Sequence, residues 1–251
     1  MTRIALITGA SRGLGRNTAL AVAHGGGNVV LTYRTNAEEA QAVVAEIEAL
    51  GRKAAALQLD TGDVEAFPAF VEQLRAALHA TWQRETFDHL VNNAGHGDTA
   101  PIAETTVAQF DRLVDVHFKG VFFLTQALLP LIHDGGRIVN ISTGLTRFAY
   151  PGYAAYAATK AAVETLSLYM AKEFGARGIA VNTVAPGAIE TDFGGGAVRD
   201  NAQINAQLAG ITALGRVGVA DDIGPMIAAL LGDANRWVNA QRIEVSGGQA
   251  I

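Results

Sequence analysis

The sequence predicts a doubly wound α/β fold, a mostly parallel seven-stranded sheet with helices on both faces, and three observations carry that reading. Short apolar runs alternate with longer stretches of helical periodicity up to about residue 190, the pattern left by repeated strand–helix–strand units. The first apolar run ends directly in a glycine-rich turn that opens a helix. Apolar residues make up 49% of the 251 positions, enough to cover a buried parallel sheet on both faces.

The elements follow in order. Strands are expected at 4–8, 28–32, 53–59, 89–91, 136–141, 180–184 and 242–245, each a short apolar run. Helices are expected at 13–24, 37–50, 63–78, 106–131, 153–174 and 221–231, several opened by an acidic or hydroxyl residue of the kind that caps free backbone N–H groups. No repeat, charge block or low-complexity linker divides the chain, so one domain over 1–251 is expected. Gly194-Gly195-Gly196 opens a polar segment, and about 193–210 is the expected lid.

Composition narrows the functional classes. With no cysteine there is neither a disulfide framework nor a thiolate metal site. The amino terminus runs straight into the first strand and no stretch has the roughly 18 uninterrupted apolar residues of a membrane span, so a cytoplasmic protein without a membrane partner is expected. A formal charge of −5 offers no general attraction for nucleic acid. The histidines show no metal-ligand spacing.

Directly after the first strand stands Thr8-Gly9-Ala10-Ser11-Arg12-Gly13-Leu14-Gly15. In a strand–turn–helix unit, Gly9 takes the tight turn, Gly13 lets backbone approach a pyrophosphate, and Gly15 permits close helix packing, while the helix N-terminus presents unpaired N–H groups. Sites selective for NAD place a carboxylate roughly 20 residues on. Here the first acidic residue of the chain is Glu38, and the second strand ends Leu31-Thr32-Tyr33-Arg34. Arg12 and Arg34 offer permanently charged forks for a ribose 2′-phosphate, so NADP(H) is the expected cofactor.

Five motifs, in order over nearly the whole chain, resemble the short-chain dehydrogenase/reductase family: the Thr8–Gly15 turn, Asp60 after the third strand, Asn92-Asn93-Ala94-Gly95, Tyr156-Ala157-Ala158-Thr159-Lys160, and Pro186-Gly187-Ala188-Ile189-Glu190-Thr191. The resemblance implies a Rossmann-type sheet, Asp60 at the adenine, Asn92, Ala94 and Gly95 lining the cofactor, and the loop from Pro186 and Gly187 placing Ile189 and Thr191 at the nicotinamide carboxamide. It also implies a homo-oligomer, a tetramer built partly from helices 106–131 and 153–174.

Tyr156 and Lys160 lie four apart on one helix face. A free phenol titrates near pH 10, and a neighbouring ammonium, aided by the cofactor's nicotinamide-side charge, is expected to lower that value until the phenol can exchange a proton near neutrality; Lys160 is also expected to hold the nicotinamide ribose. Two positions depart from the family pattern. Where a serine usually precedes the tyrosine stands Thr143, whose hydroxyl can still donate to a substrate oxygen, with neighbouring Ser142 the alternative or a backbone cap. Where an asparagine usually supports a water chain to the lysine stands His117, able to relay a proton or simply to fill the helix.

The implied reaction interconverts a carbonyl and a secondary alcohol by hydride transfer, on a small molecule enclosed by 144–153, with Phe148 and Tyr150, and by 193–210. The motifs are also similar to 3-oxoacyl-[acyl-carrier-protein] reductases, but only Arg177 offers a docking charge for an acidic carrier near the sixth strand. A non-catalytic NADP(H)-binding sensor, of a different class, is suggested by the changes at 117 and 143 and opposed by the Tyr156/Lys160 pair.

Overall fold

Side chains alternate across a strand, and in the computed structural model, which describes residues 2–251, β1 (Ile4–Ile7) sends Ala5 and Ile7 into one core and Ile4 and Leu6 into another. Both faces of the sheet are therefore dry. One face is covered by α1 (Gly13–His24), α2 (Ala37–Ala49) and, late in the chain, α9 (Gly224–Leu231). The other is covered by α3 (Phe67–Trp82), α5 (Gly120–Leu128) and α6 (Ala154–Phe174).

The remaining strands are β2 (Asn28–Tyr33), β3 (Ala54–Gln58), β4 (Phe87–Asn92), β5 (Ile132–Ile141), β6 (Ala180–Pro186) and β9 (Arg242–Val245). Their order in the sheet is β3-β2-β1-β4-β5-β6-β9, every pair parallel. Connections wind one way from β1 and the other way from β4, so the crevice between the carboxyl ends of these two strands is the place where such sheets receive ligands. All seven expected strands are present, with β4 starting two residues early and β5 four, where Phe87 pairs with Ile132 ahead of a register shift.

Other differences have local causes. Helix 63–78 is a 3₁₀ turn at Val64–Ala66 followed by α3, and 221–231 likewise splits before α9; Pro68 and Pro225 each sit in the first turn, where a missing N–H costs nothing. The expected helix 106–131 is α4 (Val107–Val114), a π-helical turn at Asp115–Lys119, α5, and a 3₁₀ turn at Leu129–Leu131. The wider turn lets Gly120 lie against the β3–α3 connection: a Cβ there would stand 2.1 Å from the Thr61 carbonyl oxygen. A second sheet joins β7 (Ile189–Glu190) to β8 (Gly218–Val219), two residues each and too short to leave a periodicity. Segment 193–210 holds a turn at Phe193–Gly196, then α7 (Ala197–Asp200) and α8 (Ala202–Gly210). Among the described residues no helix is long and apolar enough to cross a membrane, and no cluster of three metal-ligating side chains occurs.

At the amino end of β4, far along the strands from the crevice, His89 is 4% exposed and its Nδ1 has no hydrogen-bond partner among the described residues. Burial, helped by the charges of Arg3 and Arg137 and opposed by Asp88, pulls its pKa from 6.5 to about 4. The unfolded chain therefore takes up a proton below pH 6.5 that the folded chain refuses until about pH 4, so this stabilisation is complete above 6.5 and is lost as pH falls towards 4. Between pH 7.5 and 5 the loss is about 2 kcal/mol. Thermal melts at the two pH values should show His89→Gln losing less Tm on acidification than wild type, by about 5 °C; equal losses would contradict the assignment.

Candidate active site

The site forms where the carboxyl ends of β1, β4, β5 and β6 meet the start of α6. At β1 the chain turns at Gly9, whose φ is +63° and where a Cβ would lie 2.9 Å from the Ala94 Cα. Only glycine allows that approach. Thr8 and Asn93 lock it from both sides: the Thr8 hydroxyl accepts from the Asn93 and Ala94 N–H groups (3.0 and 2.9 Å), and the Asn93 amide donates to the Thr8 and Gly9 carbonyls (2.8 and 3.2 Å). Sequence reading missed these two as scaffold residues, although both stand inside the quoted motifs.

Arg12 is the N-cap residue of α1 without a side-chain cap bond, so the first-turn N–H groups face the crevice beside Ser11 and Gly13. Across the crevice a Cβ on Gly13 would stand 3.9 Å from the Thr191 side chain, which brings the first turn and the Pro186–Thr191 loop to one opening. Leu14 packs into the core beneath. Arg12 and Arg34 are exposed with no ion-pair partner among the described residues, and Asp60 uses one carboxylate oxygen for the Gly62 N–H (2.9 Å). Open backbone donors, two free guanidiniums and a turn closed to any side chain fit a dinucleotide bearing an extra phosphate. The buried Asn92 amide donates to Asn140 (2.8 Å) and Thr125 (3.1 Å), tying β4 to β5 and α5.

Tyr156 and Lys160 come together as their spacing predicts, both almost fully buried. Lys160 Nζ donates to the Ile141 carbonyl at the end of β5 (2.8 Å) and lies 5.9 Å from the Tyr156 ring centroid. Burial lowers the Lys160 pKa to about 8. Burial pushes the Tyr156 pKa up, Tyr153 adds to that, and the neighbouring Thr143 hydroxyl opposes it. The ammonium is held by the carbonyl and does not offset the loss of water around the phenol. The two hydroxyls have different surroundings. Thr143 Oγ1 accepts from the Leu145 N–H (3.3 Å) and stands close enough to the phenol to lower its pKa, whereas Ser142 donates to Glu164 Oε1 (2.6 Å).

Around the phenol stands a run of rings. Phe193 lies 5.8 Å from Tyr156, His117 packs edge-on at 5.2 Å, and His96 lies 5.1 Å from His117. Phe193 also fills the space a Cβ on Gly97 would need, 3.0 Å from its Cε1. Of the other expected walls, Phe148 packs over Gly144 and under the Arg147 guanidinium, and Tyr150 pairs with Tyr153.

His117 sits on the π turn, fully buried. Its Nε2 is 2.8 Å from the His96 carbonyl, which requires the proton on that nitrogen; the 3.4 Å approach of the His96 N–H to the same atom is then only a contact. Burial, with the charge of Lys160, lowers its pKa well below the ordinary value, so the ring is neutral and its Nδ1 is an acceptor without a partner among the described residues. The ring fits because position 95 has no side chain: a Cβ there would lie 2.6 Å from His117 Cε1. Gly95→Ala should therefore cost about 1–3 kcal/mol, and His117→Ala should remove most of that cost in the double variant. Denaturant unfolding of the four proteins checks it; additive losses would contradict the contact.

Comparison with known proteins follows the same lines. Residues 9–250 match a family model described as enoyl-(acyl carrier protein) reductase. A 3-oxoacyl-[acyl-carrier-protein] reductase of Staphylococcus aureus is 37% identical over 99% of this chain and 98% of its own. Among solved structures, the promiscuous reductase LugOII, which catalyses a keto-reduction in lugdunomycin biosynthesis, superposes with a TM-score of 0.93 at 39% identity, covering 99% of this chain and 98% of that one. The angucycline C-6 ketoreductase LanV, solved with bound NADP, gives 0.94 at 34% identity over 99% and 95%.

Proposed function

The chain belongs to the short-chain dehydrogenase/reductase family, and on that premise we propose that it is an NADPH-dependent ketoreductase for an uncharged substrate with an aromatic or similarly flat body. The carrying observation is the Tyr156 phenol, buried with Thr143 at the end of β5 and walled by the rings of Phe193 and His117. A carbonyl oxygen held by the Tyr156 and Thr143 hydroxyls presents its carbon towards the crevice lined by Gly13 and Thr191. Bound NADPH supplies the hydride that reduces that carbon. Tyr156 gives its proton to the oxygen as the alcohol forms, and a phenol whose pKa is raised by burial is in the protonated state this direction needs. Lys160, fixed on the Ile141 carbonyl, keeps α6 in register with β5 and is placed to replenish the proton.

The cofactor is read as NADP(H) because Arg12 and Arg34 stand free where a 2′-phosphate would lie, and LanV with bound NADP supports it. In this reading Gly9, Ser11, Gly13, Gly15, Asp60, Ala94, Gly95, Pro186, Gly187 and Ile189 line the dinucleotide, mostly through backbone. Flat polycyclic substrates fit the ring-lined wall and agree with the ketoreductases LugOII and LanV. The acyl-carrier reading loses its docking charge, since Arg177 bonds Asp134 (2.7 Å), the Leu129 carbonyl (2.8 Å) and the Ile132 carbonyl. We also read the protein as a homo-oligomer. Ile102, Val107 and Phe110 expose apolar surface around an open groove of about 440 Å³ against the start of α6, and Leu168 and Tyr169 are exposed further along the same helix.

Steady-state NADPH oxidation over aryl and alkyl ketones tests the reading. Tyr156→Phe should lower kcat by about 1,000-fold, the scale of general acid catalysis, with the NADPH Kd unchanged; full activity would contradict the role of Tyr156, and an inert wild type that still binds NADPH would favour a sensor. Arg34→Asp should weaken NADPH relative to NADH by about tenfold or more, as expected on losing a charge-assisted contact. An unchanged preference would remove Arg34 from the site.

A further inference from the structure

One stripe of α6 does more than carry Tyr156 and Lys160. Glu164 is the next residue on it, four beyond Lys160, and its Oε1 receives three donors: the Ser142 hydroxyl (2.6 Å), the Thr146 hydroxyl (2.8 Å) and Arg242 Nε (2.9 Å). Arg242 comes from β9 at the far edge of the sheet and is fully engaged. Its Nη2 donates to the Thr143 carbonyl (3.2 Å) and the Thr146 hydroxyl (2.9 Å), and its Nη1 to Glu244 (3.0 Å). Two successive turns of one helix thus grip successive groups of one strand end, the Ile141 carbonyl by Lys160 and the Ser142 hydroxyl by Glu164, and the turn before them sets the Tyr156 phenol beside Thr143.

We propose that Glu164 and Arg242 are positioning residues for the reduction, a carboxylate–guanidinium clamp that fixes the 142–146 turn so that the Thr143 hydroxyl meets the Tyr156 phenol. The side chains of both are mostly shielded from solvent, 19% and 28% exposed, where charged hydrogen bonds are shorter and stronger than at an open surface. A planar guanidinium with every nitrogen engaged imposes an orientation that lysine does not reproduce. The clamp reaches the other wall as well: Glu244 also accepts from Arg147, whose Nη1 and Nη2 donate to the Ala250 and Gln249 carbonyls, and the Gln249 side chain accepts from the Ala188 N–H (2.9 Å) in the Pro186–Thr191 loop. Neither Glu164 nor Arg242 touches Tyr156, so both act through Thr143.

The inference rests on the reductase reading, and its test separates the two. Glu164→Ala should lower kcat for ketone reduction about tenfold or more with the NADPH Kd within about twofold of wild type, the signature of a loss confined to the reacting centre. Glu164→Gln, which keeps an acceptor oxygen for Ser142, Thr146 and Arg242, should recover most of the rate. Because Thr143 partly opposes the rise in the phenol's pKa, Glu164→Ala should also move to higher pH the ascending limb of alcohol oxidation, which needs the phenol deprotonated. In a Thr143→Ala background the same substitution should add less than about twofold, as expected when one residue acts through another. A wild-type rate and pH limb in Glu164→Ala, or equal losses in both backgrounds, would overturn the clamp. If Glu164→Ala fails to fold, Arg242→Met is read by the same criteria. The crystal structure of either variant gives a readout free of turnover: a displaced 142–146 turn is expected, and an unmoved one overturns the proposal. A wild type inert to every carbonyl contradicts the ketoreductase reading alone.

Discussion

A lysine ammonium buried to 4% exposure needs a partner, and here that partner is a single backbone carbonyl, Ile141, at the end of β5. Much of the site follows from that bond. It holds α6 against the strand end at a fixed height, and helical periodicity then sets Tyr156 one turn before it and Glu164 one turn after. The strand end is itself set by parallel pairing on both sides, Asn140 with Asn92 in β4 and with Thr183 in β6, so the position of Thr143 traces back to the central sheet. Beneath the surface the same three strands are joined by amides and hydroxyls: Asn140 donates to Ser167, which also receives Thr183 (2.8 and 2.9 Å). A buried polar network with its partners in place fixes one arrangement of the elements it joins.

The opposite side of the crevice is built by close approach. Gly9 against Ala94 and Gly95 against His117 leave no space for side chains, so the first turn, β4 and the π turn before α5 are pressed together at one place. An insertion that widens a helix turn is a common device at functional sites, and here it carries a neutral imidazole to the edge of the Tyr156 ring. The phenol is thereby shut off from water by His117 on one side and Phe193 on the other. That exclusion raises its pKa and keeps the phenol protonated.

Most of the fold was legible in the sequence because a sheet buried on both faces writes apolar runs that nothing else imitates, and the strand β9 (Arg242–Val245) and helix α1 (Gly13–His24) have the bounds their patterns give. The interruption of the helix 106–131 was not legible, since a π turn keeps apolar residues on the buried side and betrays itself only through Gly120, whose role depends on Thr61 in another loop. Proline in the first turn likewise fixed the true starts of α3 and α9, a signal present in Pro68 and Pro225. In the site, the pairing of Tyr156 with Lys160 follows from spacing, whereas the division of labour between Ser142 and Thr143 depends on Glu164, and the grip of Arg242 spans 78 positions from Glu164. Burial around the phenol, which raises its pKa, is something a sequence does not report residue by residue.

The proposed reduction requires that hydride pass from a nicotinamide to a ketone carbon held at Tyr156. The most direct measurement is single-turnover reduction of an aryl ketone with NADPH carrying deuterium at either face of the nicotinamide ring, with mass analysis of the alcohol. Deuterium on the carbinol carbon from one labelled face and none from the other is the predicted result; alcohol without deuterium from either face, or no alcohol from any ketone while NADPH remains bound, would contradict the account.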